Sequence, residues 1–98
     1  MSTTTMTELD VLRRARGLLE ANWVPHLPRR GTDECCLVEA THGVGETLEQ
    51  WRCGVRARDR LSQIANAADG LESWNDTHTK EEVLALVDRA IAACEAEG

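Results

Sequence analysis

Apolar residues recur at spacings of three and four along most of the 98-residue chain, and this helical period constrains the fold more than any other feature. No segment shows the strict alternation of apolar and polar residues that is typical of a half-buried β-strand. A chain of this length can bury one modest core without a disulfide or a metal. The sequence therefore predicts an all-α fold, with a disordered N-terminus over residues 1–6 and a single helical domain over residues 7–98. That domain is expected to have four or five helices packed around the C-terminal helix.

The most regular apolar stripe follows the segment SWNDTHTK near the C-terminus. Thr79 and Glu82 have the spacing of a capping box, in which each side chain bonds to the backbone amide of the other residue. The stripe behind it consists of Val83, Leu84, Val87, Ala90, Ile91 and Cys94. We expect Asn75 and Asp76 in the turn before this helix, and Trp74 over its first turns, because short polar side chains favour turns and indole rings pack on apolar surface. The polar run is therefore interpreted first as a helix start, and secondarily as a contact site.

The N-terminal half shows two helices separated by a loop. Helical spacing runs from about Glu8 to about Ala21, with Thr7 as N-cap and Asp10 in the capping position three residues later. The segment VPHLPRRGTD contains both prolines and a glycine, so it is predicted to be a loop. Asp33 then has the position of an N-cap for a short helix over ECCLVEATH, which the glycines of HGVG end.

The middle of the chain carries two apolar stripes rather than one. Leu48, Trp51 and Val55 lie within about 60° of one another on a helical wheel. A second set, centred about 120° away, consists of Leu61, Ile64, Ala65 and Ala68. One straight helix would have to bury both stripes. The sequence therefore predicts a break near Gly54, with one helix over about residues 46–54 and another over about residues 58–68.

Charge is distributed unevenly along the chain. Residues 1–68 contain nine acidic and nine basic residues, whereas residues 69–98 contain eight acidic and two basic ones, which gives the net charge of −6. The stripe predicted for the last helix leaves its acidic positions facing water. We therefore expect this region to contact a protein with a basic surface, through an attraction that salt weakens. The candidate partner-binding residues are Asp76, Glu81, Glu82 and Asp88.

Four arginines within nine residues of the middle segment favour an alternative function, that of a nucleic-acid-associated regulator. A helical domain can present such guanidinium groups to phosphates. The isoelectric point near 5.0 opposes this function, because the field of the whole protein repels nucleic acid. The candidate nucleic-acid-binding residues are Arg52, Arg56, Arg58 and Arg60.

Four cysteines raise a third hypothesis, that of a cysteine-dependent enzyme. A thiol becomes nucleophilic beside a base, and His26, His42 or His78 could provide one, with Asp76 to orient it. The residues closest to a metal-binding pattern are Cys35, Cys36, His42 and Cys53. Their spacing matches no common zinc pattern and no catalytic motif, so we expect free thiols, no metal or other cofactor, and no enzymatic activity.

The sequence contains no export or membrane signal. The segment MSTTTMTELD has neither a basic start nor an apolar run, and apolar runs elsewhere stay far below the roughly 20 residues that cross a bilayer. We therefore expect a cytoplasmic protein that does not contact a membrane, in which the cysteines remain reduced.

Three segments of the chain also carry a resemblance. They are LRRAR in the first helix, a cysteine pair at the opening of a short helix, and SWND followed by TKEEVLALVDRAI. Together they resemble a family of small uncharacterised proteins of actinobacteria and their bacteriophages. The resemblance implies a phage or prophage gene product in the host cytoplasm and implies no mechanism. With the charge pattern it favours a small non-enzymatic binding or regulatory protein that acts through protein–protein contacts.

Overall fold

Five α-helices form the structure, a computed structural model that describes residues 7–25, 31, 34–41 and 47–97. They are α1 (Glu8–Asn22), α2 (Leu37–Thr41), α3 (Leu48–Ala65), α4 (Leu71–Asp76) and α5 (Lys80–Glu97). Within these residues the only β-type pairing is an isolated bridge between Trp23 and Cys35. The prediction of a small all-α domain is confirmed. The segment predicted to be disordered, residues 1–6, lies outside the described residues.

Capping boxes begin the first and last helices, as the sequence predicts. At α1 the Thr7 hydroxyl accepts a hydrogen bond from the Asp10 amide at 3.2 Å, and the Asp10 carboxylate accepts one from the Thr7 amide at 3.0 Å. At α5 Thr79 and Glu82 make the same reciprocal pair, at 3.2 and 2.9 Å. These bonds satisfy amides that have no partner inside the helix, so local residues determine where each helix begins.

The third helix is continuous, and the predicted break near Gly54 is wrong. The side of α3 that carries Leu61 is buried, together with Cys53 and Ala57, whereas the stripe that begins at Leu48 is exposed. Gly54 lies on the buried side, where a Cβ atom would be 2.8 Å from the backbone oxygen of Thr41. The glycine therefore permits a close approach between α2 and α3 rather than a bend.

The second helix is shorter than predicted. It begins at Leu37 and not at the start of ECCLVEATH, because the backbone of Cys35 pairs with the chain that leaves α1. The Cys35 amide donates to the Asn22 carbonyl, and the Cys35 carbonyl accepts from the Val24 amide, both at 2.9 Å. Backbone groups used in this way are not available to a helical turn. The proposed N-cap Asp33 and the glycines of HGVG lie outside the described residues.

The core lies where α1 packs against α5, α2 and α3. Helix α5 also packs against α3, and the short α4 packs against α2 and α3. Of the stripe predicted for α5, Val83, Val87 and Ala90 are buried, and Leu86 joins them. No helix in the described ranges is long and apolar enough to cross a membrane. The largest fully buried aliphatic side chains are Val11, Leu12, Leu19, Leu37, Leu61, Val83 and Val87.

Candidate protein-binding site

The polar run SWND lies in α4, and its asparagine is a junction of the fold. Asn75 is 1% exposed. Its Oδ1 accepts hydrogen bonds from the Trp23 indole Nε1 at 2.8 Å and the Leu37 amide at 3.0 Å, and its Nδ2 donates to the Val24 carbonyl at 3.1 Å. One side chain therefore joins the end of α1, the start of α2 and α4. The expectation that Asn75 and Asp76 lie in a turn is wrong, because both are helical.

Trp74 and His78 pack on each other at the end of α4. Their ring centroids are 3.8 Å apart with an interplanar angle of 15°, and His78 Nδ1 lies 2.6 Å from the Trp74 carbonyl oxygen. Trp74 is half-buried and also packs against the core. The sequence proposes His78 as a catalytic base, and one of its two ring nitrogens is therefore already in contact with a backbone carbonyl. The other proposed bases, His26 and His42, lie outside the described residues.

The four candidate partner-binding carboxylates differ in their surroundings. Glu82 belongs to the α5 capping box, where a hydrogen bond from the backbone lowers the pKa of its carboxyl group. Asp88 accepts a hydrogen bond from Arg16 Nε at 2.9 Å, an ion pair that links α5 to α1. Asp76 and Glu81 are exposed, and neither has an ion pair with another described residue. These two are the carboxylates of the set whose charge no described contact offsets.

Arg60 connects three helices through carboxylates. Its Nη1 lies 2.6 Å from a Glu97 oxygen, and its Nε contacts Glu8. The bonds with Arg60 lower the pKa of Glu97, and the two carboxylates raise the pKa of Arg60. The Cys94 thiol donates to the same Glu8 carboxylate at 3.2 Å. Arg60 therefore stabilises the packing of α1, α3 and α5, and its charge is already neutralised.

The other three central arginines differ in their contacts. Arg58 donates from Nη1 to the Thr41 carbonyl at 3.2 Å, so it holds the end of α2. Arg52 and Arg56 are exposed, and neither forms an ion pair within the described part of the chain. The sequence-based cluster of four is therefore divided, with Arg52 and Arg56 as its two open cations.

The cysteines are free thiols, three of them buried and Cys94 half-buried. Burial raises the pKa of Cys35 to about 11, and burial together with the Glu8 hydrogen bond raises the pKa of Cys94 to about 11. A thiol with such a pKa is protonated at neutral pH and is therefore a poor nucleophile. Among the residues that the structure describes, no cluster of three His, Cys, Asp or Glu side chains could hold a metal ion.

The exposed side of α3 presents large apolar residues to solvent. Leu48 is 63% exposed, Trp51 56% and Val55 37%. They lie on one side of the helix, and Arg52 and Arg56 each follow a member of this stripe by one residue, so they form a row beside it. We call these five residues the α3 face.

A surface groove of about 430 Å³ opens at the Val55 end of the α3 face. It lies between α3 and the start of α4. Its lining combines apolar and charged residues: Val38, Val55, Leu71, Arg58, Asp59, Ser62, Asp69, Gly70 and Glu72. The groove extends the exposed surface beyond the stripe itself, and its carboxylates are Asp59 on α3 and Asp69 and Glu72 near the start of α4.

The sequence interpretation missed the α3 face because it assigned Leu48, Trp51 and Val55 to the core. A signal was nevertheless present in the two stripes on one segment, about 120° apart. A continuous helix can bury only one such stripe in a small domain, which leaves the other as surface. Exposed apolar patches on soluble proteins often mark sites of protein contact.

The fold and the site together define a small helical domain with one exposed apolar and cationic helix face. Residues 3–93 match the model of a family described as Family of unknown function (DUF6197). Because the match covers nearly the whole chain, the protein belongs to this family. No curated protein and no solved structure matches the chain.

Proposed function

We propose that this protein is a small non-enzymatic binding or regulatory protein that acts through protein–protein contacts and binds its partner with the α3 face. The observation that supports this most directly is Trp51, which is more than half exposed beside Leu48. Tryptophan and arginine are the residue types most enriched at the energetic centres of interfaces, and the α3 face contains both.

The fold does not require the exposed stripe. Ala57 and Leu61, on the other side of α3, are fully buried and complete the packing against α1 and α5. Removing a large apolar side chain from water contributes about 1.5–3 kcal/mol. A partner that covers Leu48 and Trp51 therefore gains binding energy that folding leaves unused.

The proposal is tested by affinity capture from an actinobacterial lysate, with and without phage infection, and quantitative mass spectrometry. The bait is used as wild type, as Trp51→Ser and as Leu18→Ser, a control that removes a partly exposed leucine from α1. We expect a protein that is captured by the wild type and by Leu18→Ser and is lost with Trp51→Ser. If every captured protein is retained by Trp51→Ser, the α3 face is not the contact surface.

A second candidate contact is the acidic surface, with a basic host or phage protein as its partner. Its support is that Asp76 and Glu81 are exposed and without ion pairs to other described residues. The discriminating variant is Asp76→Lys with Glu81→Lys, which leaves the ion pair between Asp88 and Arg16 intact. Slower association of this variant than of the wild type, together with a wild-type rate that falls as salt rises, would favour the acidic surface over the α3 face.

Nucleic-acid binding and cysteine-dependent catalysis are weaker alternatives. Within the central cluster, Arg58 and Arg60 already have partners in the protein, so Arg52 and Arg56 are its cations left for phosphates. A gel-shift assay in low salt, with wild type and Arg52→Ala, tests the first alternative. Labelling of the protein by iodoacetamide at pH 7, faster than that of glutathione, would support the second.

We also propose that the protein works in the cytoplasm of an actinobacterial host and is encoded by a phage or prophage. The support is the resemblance carried by LRRAR and by SWND with TKEEVLALVDRAI. Fractionation of a lysogenic actinobacterium, followed by immunoblotting, tests the location. Recovery of the protein in the culture medium or the membrane fraction would contradict it.

A further inference from the structure

We propose that the partner of the α3 face is an amphipathic helix of another protein, with an apolar stripe and acidic side chains along one flank. The inference rests on the proposed function and adds the chemistry of the partner. Its basis is the combination of Leu48, Trp51 and Val55 with two open cations, Arg52 and Arg56, on one continuous helix.

The shape of the α3 face suits a helix. Its apolar residues occupy positions i, i+3 and i+7 of an exposed helix, so they form a ridge that packs into the groove between side chains of a second helix. An amphipathic helix anchors to such a surface through residues at the same spacings. The groove next to Val55 gives room for one further side chain of the partner.

The charge of the face selects an acidic flank on the partner. Arg52 and Arg56 are one helical turn apart, and no carboxylate among the described residues pairs with either. Glu49 precedes them in the same row, and Asp59 follows Arg56 by three residues. Asp69 and Glu72 line the groove with Asp59. The acidic residues of the partner are therefore expected between these two acidic regions, opposite Arg52 and Arg56.

The same charges oppose a second copy of this chain as the occupant. A twofold dimer joins each surface patch to itself, so the α3 face, which carries two open cations, would meet a face of the same charge. Each chain also carries a net charge of −6, which adds a general repulsion between copies. A different protein with acidic residues avoids the contact between like charges.

The test uses ¹⁵N-labelled full-length protein and two synthetic helical peptides with the same leucine stripe. One peptide carries two glutamates one turn apart on one flank, and the other carries two lysines there. The indole resonance of Trp51, assigned from its loss in Trp51→Phe, reports binding at the α3 face. We expect the glutamate peptide to shift this resonance and to bind about tenfold more tightly than the lysine peptide, a ratio that corresponds to about 1.4 kcal/mol.

Charge variants give the matched control. Arg52→Glu with Arg56→Glu should reverse the preference, so that the lysine peptide binds more tightly. Arg14→Glu with Arg89→Glu changes the net charge equally at two exposed arginines of α1 and α5, and should leave the preference unchanged. A preference that follows net charge alone, and so changes equally in both double variants, would overturn the assignment to Arg52 and Arg56.

The remaining outcomes separate this inference from the proposed function. Equal binding of both peptides at Trp51 would overturn the acidic partner and leave the α3 face as a protein-binding site. No shift of Trp51 with either peptide would overturn the helical partner, and the capture experiment with Trp51→Ser would then decide the proposed function alone. A Trp51 shift that depends on protein concentration, with a dimer mass in sedimentation, would overturn it in favour of a second copy.

Discussion

The three tryptophans divide the molecule into two regions that use the same residue type differently. Trp23 donates its indole N–H to the buried Asn75, and Trp74 packs against the core and His78. Trp51 instead lies exposed on α3, and no hydrogen bond joins its indole to another described residue. The first region, the junction of α1, α2 and α4, is held by bonds that the fold needs. The α3 face has no such bonds, so its composition points to a partner.

The largest effect is expected at the junction. Asn75→Ala removes three hydrogen bonds and leaves the Trp23 indole and the Leu37 amide without an acceptor. Each buried polar group without a partner costs about 1–3 kcal/mol, so the free energy of unfolding should fall by about 3–5 kcal/mol. Urea denaturation measures it. Asp76→Ala, at the exposed neighbouring position, is the control and should change stability by no more than about 0.5 kcal/mol.

A smaller loss is expected for Trp74→Ala. A fully buried tryptophan replaced by alanine costs about 3–5 kcal/mol, and Trp74 is only half-buried, so we expect about 2 kcal/mol. The same urea experiment gives the value, and the intrinsic fluorescence identifies which indole is lost. A change below about 0.5 kcal/mol, the range of ordinary surface substitutions, would move Trp74 from the junction to the contact surface.

The two glycines within the described helices have opposite surroundings, one in a close contact between helices and one in open space. In Gly54→Ala the new Cβ would lie 2.8 Å from the Thr41 backbone oxygen, whereas a Cβ at Gly17 meets no atom within 4 Å. Gly17→Ala should therefore stabilise the protein by about 0.5–1 kcal/mol, and Gly54→Ala should destabilise it by about 1–2 kcal/mol. Thermal unfolding of both variants checks the signs. Stabilisation by Gly54→Ala would mean that α2 and α3 do not approach closely there.

The helix ends were predictable because their determinants are local. Thr7 with Asp10 and Thr79 with Glu82 are three residues apart, and both capping boxes are present. The same spacing in Thr47 and Gln50, which begins α3, was available in the sequence and was not used. The break at Gly54 was wrong because glycine serves both bends and close contacts, and only the position of α2 distinguishes the two roles.

The role of Asn75 could not be predicted, because its partners are distant in sequence. Trp23, Val24 and Leu37 lie 52, 51 and 38 residues away. The ion pairs of the α5 carboxylates could not be predicted for the same reason, because their partners are also distant in sequence. The sequence interpretation treated its acidic residues as one open surface, yet Asp88 and Glu97 pair with Arg16 and Arg60 across the packed helices. Local sequence patterns predict the helices, whereas the packing of the helices decides which charged side chains remain without an ion pair.

Acid should weaken the three-helix contact at Arg60. The hydrogen bonds with Arg60 lower the pKa of Glu97 below its ordinary value of 4.5, so the folded state binds this proton more weakly than the unfolded state does. The resulting stabilisation is complete above pH 4.5 and is lost as pH falls through the lowered pKa. Urea denaturation between pH 6 and pH 3 should show a smaller loss of stability for Glu97→Gln than for wild type. Equal slopes would mean that this exposed ion pair contributes nothing measurable.

The smallest effect on stability is expected at the α3 face. Trp51→Ser should change the free energy of unfolding by no more than about 0.5 kcal/mol, because Trp51 is exposed and the two residues have similar helix propensities. The same variant should abolish capture of the partner. Urea denaturation and affinity capture on one protein preparation measure both quantities. A loss of about 2 kcal/mol or more, comparable with that of Trp74→Ala, would assign Trp51 to the fold and remove the distinction between the two regions.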